Sequence, residues 1–377
     1  MNPIRIGVIG CGAIAQVQHL PNLAGLQEEF EVTIVCDHSP GLAKSVAKTF
    51  HVPNYVTDYR QLLESDVEAV ILCHTDPKTE VAVAAFEAGK HVFIEKPMCF
   101  SLQEADAIID AAHQSGKIGQ VGYMKVYDPA FEIAKQEVDV MDNIRFVQVN
   151  HLHPNNALHL RQFRIQRFDD IPPGAYDAAH TAREKALHDA IGDVPNNVKG
   201  VFFLLAGSMI HDIYGLRVML GLPSAVVSTE IWNGSRAVTI VLEYPQPLPP
   251  PLSPRMRGDE GGDKGDGARC VATWVDLPNL WDFKETLEVY GDDKRVIVSY
   301  PTGFARGILS TVTVQGIDTD GTTFRKEPAI AWESAFVREL RHFHECITEG
   351  IPSRTSVESA RDDIALIIDI INSYQKK

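Results

Sequence analysis

Three groups of residues have types and spacings that suit chemistry. The first is Gly10-Cys11-Gly12-Ala13-Ile14-Ala15, a G-x-G-x-x-A run directly after the apolar stretch Ile4 to Ile9 and before a helical pattern. Its glycines let the backbone turn tightly and approach a pyrophosphate, and the helix behind them offers N–H groups and a partial positive charge. Asp37 ends the next apolar run. An acid there accepts hydrogen bonds from both hydroxyls of an adenosine ribose and repels a 2′-phosphate, so the pattern favours NAD over NADP. The bland alternative is a plain tight turn and a helix cap. The second group is Glu95-Lys96-Pro97, at the end of the fifth apolar run. Ligands bind beyond the carboxyl ends of strands in open α/β sheets. A lysine at that edge can hold or polarise a substrate hydroxyl, and burial can bring its pKa into range for proton transfer. The third group is the histidine pairs. His151 and His153 fall on one face of a strand and read equally as hydroxyl recognition or as structure, and the sequence places no further ligand for a metal beside them. His342 and His344 point different ways from a helix and read as structural.

Through these residues the chain resembles the Gfo/Idh/MocA oxidoreductases. The G-x-G-x-x-A turn, Asp37, Ala88-Gly89-Lys90-His91 and Glu95-Lys96-Pro97 carry the likeness, and Gly122-Tyr123-Met124, Asp128-Pro129 and Gly207-Ser208-Met209-Ile210-His211-Asp212-Ile213-Tyr214 extend it across nearly the whole chain. The motifs of the first part are the more specific. The resemblance implies an NAD-dependent dehydrogenase of sugars or cyclitols, working as a homo-oligomer, dimer or tetramer, through an open sheet face. It implies a cofactor set of Gly10, Gly12, Ala13, Ile14, Asp37, His74, Thr75, Glu95 and Lys96. It implies catalysis by Lys96 and by His211 as the acid/base, and substrate contacts from Tyr123, Lys125 and His153. Two departures stand out. Gly207 occupies a position where the family often has Asp, and Tyr214 occupies the place of a second Asp; Tyr214 lies one helical turn from His211 and could share its task. Two rival readings remain. Oxidation of a sugar at C3 would acidify the neighbouring C–H and allow a glycoside to be cleaved with only transient redox, with the enlarged segment from Asn155 to Lys199 making room for a bulkier substrate. The same fold could also serve a non-catalytic, nucleotide-sensing regulator.

These residues need elements to position them. Apolar runs at Ile4–Ile9, Val32–Cys36, Tyr55–Val56, Ala69–Cys73, His91–Ile94 and Ile118–Tyr123 alternate with helical patterns. Ser101 and Glu104 form a capping box for one of these helices. The alternation predicts a doubly wound Rossmann domain with a parallel sheet over residues 1–124. From 125 to 377 an α+β domain is expected, with a large, mostly antiparallel open sheet and two closing helices, around 334–349 and 357–374. A Pro-rich and then Asp/Gly-rich stretch at 245–267 reads as a mobile loop. The 377 residues carry a net charge of -15, with 45% hydrophobic residues. That average field disfavours nucleic acid and anionic membrane as partners. No run approaches the length of a membrane span, and the first residues lack the form of a secretory signal. The six cysteines are widely and irregularly spaced, as in reduced thiols of a cytoplasmic protein.

Overall fold

The computed structural model describes residues 2–141, 143–245 and 267–375. The chain divides into two compact units. The first comprises Met1–Tyr123, Leu160–Asp193 and Phe336–Ala365, and the second Met124–His159, Val194–Ala335 and Leu366–Lys377.

The first unit holds a parallel sheet of β1 (Ile4–Ile9), β2 (Phe30–Cys36), β3 (Asn54–Val56), β4 (Ala69–Leu72), β5 (His91–Glu95) and β6 (Gly119–Gly122). Their order is β3-β2-β1-β4-β5-β6. Every residue of β4 is buried, as a strand covered on both faces requires. Succession along the sheet reverses between β1 and β4. The residues that follow those two strands therefore face the same crevice, where this fold binds ligands. The capping box forms as expected: Glu104 N–H donates to Ser101 Oγ at 3.2 Å, and Ser101 N–H donates to Glu104 Oε2 at 3.2 Å.

The second unit is built on β7 (Ile144–His153), β8 (Ala225–Trp232), β9 (Ala237–Tyr244), β10 (Ala268–Asp276), β11 (Lys284–Gly291), β12 (Lys294–Tyr300), β13 (Thr311–Ile317) and β14 (Thr323–Lys326). The order is β14-β13-β12-β11-β7-β10-β9-β8. All pairs are antiparallel except β7 with β10. Alternate residues, such as Val147, Val149 and His151, turn inward. The helical stretch Asn196–Leu220 is tied to this sheet by Trp274 Nε1–H, which donates to Ser208 Oγ at 2.9 Å. By length and composition it could cross a membrane, but 67% of its most apolar window is buried inside the protein. It starts at Asn196, where Pro195 stands at its N-cap. A π-helical segment, Leu205–Met209, interrupts it and contains Gly207. The closing helices are Ala335–Glu349 and Val357–Gln375. The expected loop at 245–267 falls almost wholly outside the described residues.

Candidate functional site

In the first unit a cavity of about 680 Å³ opens beyond β1 and β4. Gly10, Gly12, Ala13, Asp37, His74 and Thr75 all line it. Ile14, expected with them, lies in the turn behind and is not among the lining residues. Gly10 has a φ of +94°, and a Cβ there would collide with the backbone of His74. Only glycine fits both demands. At Gly12 the reverse holds: a Cβ would meet nothing within 4 Å and would project into empty space. The turn thus forms a bare backbone cradle that fits a pyrophosphate. Asp37 is fixed at the tip of β2, where its carboxylate accepts from Cys11 N–H at 2.8 Å and Ser39 N–H at 2.9 Å. His74 is half-buried with both ring nitrogens out of solvent, and that burial, with the charges of Lys78 and His38, lowers its pKa to about 3. A neutral ring therefore faces the cavity.

Glu95 and Lys96 end β5. Glu95 is buried, and its Oε1 lies 2.6 Å from His19 Nε2 while its Oε2 accepts from Lys96 N–H at 3.1 Å. Burial pushes the Glu95 carboxyl up, but the bond and charge of His19, together with Lys96 and Lys78, outweigh it and the pKa is lowered. A charged carboxylate thus stands beside the Lys96 backbone. Lys78, which sequence reasoning passed over, is buried nearby; it pairs with Asp76 and donates to the Pro97 carbonyl at 3.3 Å. The peptide bond between Lys96 and Pro97 is cis.

In the second unit His211 Nδ1 lies 2.8 Å from the Tyr214 hydroxyl. Lys125 N–H donates to the same oxygen at 3.2 Å, and the hydroxyl points to Met124 Sδ at 3.9 Å. A phenol oxygen can accept from the Lys125 N–H and still share its own hydrogen with a neighbouring acceptor. The contact fixes the His211 ring through Nδ1 and leaves Nε2 on its far side. Tyr214 is itself fully buried and orients the His211 ring.

Two of the expected substrate contacts are buried. The Lys125 ammonium is buried, pairs with Glu285 and lies over the Tyr300 ring, so its charge is used in the interior. Tyr123 is fully buried and offers no surface to a substrate. His153 is half-buried and stacks on Trp274, with ring centroids 5.5 Å apart. Its neighbour His151 is buried, and its Nδ1 lies 2.7 Å from Asp212 Oδ2 and 3.8 Å from Glu285 Oε1. The fold thus gives His151 two acids that spacing along the sequence could not supply, since β11 and the long helix bring them in. Lys125 occupies the same cluster, so the acids already face an ammonium group. His342 is structural as read, accepting from Arg354 N–H at 3.1 Å.

The far side of the first unit's cavity comes from an unexpected part of the chain. Ile165, Gln166, Arg167, Phe168, Ile171 and Tyr176 line it. The segment read as room for a bulky substrate is, over these residues, a wall of the crevice beyond β1 and β4.

Residues 4–123 match the family model described as "Oxidoreductase family, NAD-binding Rossmann fold" of Gfo/Idh/MocA. An inositol 2-dehydrogenase/D-chiro-inositol 3-dehydrogenase of Shouchella clausii is 36% identical over 140 residues, which is 36% of this chain and 40% of that protein. A scyllo-inositol 2-dehydrogenase (NAD(+)) of Bacillus subtilis is 32% identical over 138 residues, again 36% of this chain and 40% of the relative. The chain thus spans about 40% of the length of the curated relatives it matches first. Among solved structures, a levoglucosan dehydrogenase with NADH covers 99% of this chain and 97% of its own, at 17% identity and a TM-score of 0.72. That likeness extends the shared fold to both units.

Proposed function

We propose that this chain is an NAD-dependent dehydrogenase that oxidises a secondary hydroxyl of a sugar or cyclitol. The observation that carries the reading is the crevice after β1 and β4. There an open glycine cradle and a doubly anchored Asp37 line one cavity with His74 and Thr75. Gly10, Gly12 and Ala13 would hold the pyrophosphate and Asp37 the adenosine ribose, which favours NAD over its 2′-phosphorylated form. The cyclitol or sugar is proposed from the inositol dehydrogenases that resemble the first part of the chain.

When bound, the nicotinamide ring accepts a hydride from the alcohol carbon. The chain's residues deal with the rest of the alcohol. As the C–H bond breaks, the oxygen becomes a ketone oxygen and its proton must leave. From the family resemblance we assign that proton to His211, whose ring Tyr214 orients through Nδ1. Lys96 supplies positive charge to the developing alkoxide, and the Glu95 carboxylate, fixed by His19, anchors the end of the strand that carries it.

The test mixes stoichiometric enzyme with NAD and a panel of inositols, sugars, sugar acids and glycosides, and follows reduced-nicotinamide absorbance. The band should grow with one substrate class and fall at least about 100-fold in rate in Lys96→Ala, while NADH binding persists. A full rate in Lys96→Ala, or no band with any compound despite bound NAD, would overturn the reading.

A further inference from the structure

Residues 160–182 reach the cofactor crevice through specific polar contacts. Gln166 exchanges two hydrogen bonds with Gln16, donating from N–H at 2.8 Å and accepting at its carbonyl at 3.1 Å. Its side chain also meets Ser45, and its Nε2–H donates to Thr49 at 2.8 Å. Four residues on, the Asp170 carboxylate accepts from the Ser39 hydroxyl and, at 2.6 Å, from Gly41 N–H. Ser39 is the N-cap of the helix Pro40–Thr49, and Gly41 lies in its first turn. Its hydroxyl and the Gly41 amide are donors that this helix start offers to an anion. Both are taken by a carboxylate of the chain. Seating is close: a Cβ on Gly41 would come within 2.6 Å of Asp170 Oδ2 and of Phe168 Cδ1.

We propose that Asp170 is a cofactor-specificity residue, which excludes NADP by filling with its own carboxylate the donors that a 2′-phosphate would require. This rests on the reading of the cavity as a dinucleotide site. NADP differs from NAD by a phosphate on the adenosine ribose, the group assigned to Asp37. Ser39 lies two residues beyond Asp37, and its backbone N–H already donates to the Asp37 carboxylate. A phosphate at that ribose would need the Ser39 hydroxyl and the Gly41 amide to replace its water. At this helix start it would instead meet two carboxylates, Asp37 and Asp170, with the Ser39 hydroxyl and the Gly41 amide already taken. Asp37 alone accounts only for repulsion. Asp170 also removes the hydrogen bonds that could offset that repulsion. The discrimination is thus written partly in residues remote in sequence from the dinucleotide turn.

The experiment measures equilibrium binding of NADH and NADPH to the full chain by nicotinamide fluorescence, in the wild type, Asp170→Asn and Asp170→Ser. Asn keeps the size and loses the charge; Ser also frees both donors. The wild type should prefer NADH, and the NADPH-to-NADH affinity ratio should rise about ten-fold in Asp170→Ser and by less in Asp170→Asn. A ratio unchanged in both variants, or a wild type that binds NADPH as tightly as NADH, would overturn the proposal. If Asp170→Ser does not fold, the ratio in Asp170→Asn decides alone. Failure of the wild type to bind either dinucleotide would instead sink the cofactor reading, and this inference with it.

Discussion

His74 shows how a residue can matter through what it is prevented from doing. Burial, then the charges of Lys78 and His38, lowers its pKa from the ordinary 6.5 to about 3. The folded chain therefore holds the ring neutral over a range in which the unfolded chain protonates it. Its contribution to stability is complete above about pH 6.5 and drains away as the pH falls toward 3. Between pH 6.5 and 5 the loss should be about 2 kcal/mol. Denaturant unfolding of wild type and His74→Gln at the two pH values checks this: the variant should lose that much less. Parallel losses would show that His74 titrates normally in the fold. Other residue roles were partly legible. The positions of Gly10 and Asp37 are readable because they are local: a positive φ and the end of a strand. The partners of His151 were not, because Asp212 and Glu285 lie on other elements and only the sheet register brings them near. Lys125 was read as a substrate contact for the same reason, since nothing in sequence announces Glu285 as its partner.

At the scale of elements, local pattern predicted the six parallel strands and the Ser101 capping box. It did not predict the wall at 160–182. That stretch has no long apolar run, and it is held by Gln166 and Asp170 against Gln16, Ser39, Gly41, Ser45 and Thr49, polar pairings that carry no periodicity. Gly41 tests how firmly it is held. Alanine is the better helix former, worth up to about 1 kcal/mol over glycine at an open helical site. Here the added Cβ would strike Asp170 and Phe168 at 2.6 Å. Gly41→Ala should therefore lower the melting temperature and expose 160–176 to limited proteolysis. A higher melting temperature with unchanged cleavage would mean that the wall does not rest on this helix.

At the scale of the whole molecule, the first unit is assembled from three stretches of chain, and two of them, Leu160–Asp193 and Phe336–Ala365, come from the part of the sequence that continues the second unit. Composition and periodicity place boundaries where patterns change, so a segment that leaves one unit, packs on another and returns is invisible to them. This organisation has a thermodynamic consequence. A ligand that binds the folded crevice stabilises every segment whose opening would dismantle it, by an amount set by its concentration over its dissociation constant. Residues 165–176 line that crevice, whereas β7 to β14 belong to the other unit. Hydrogen exchange with saturating NADH should therefore slow in two places together, the turn at 10–15 and the wall at 165–176, while the amides of β12 and β13 keep their rates. The pairing matters more than the size of either change. Protection of the turn without the wall would show that the dinucleotide binds with the wall open, and the segment would then be a neighbour of the crevice and not part of it.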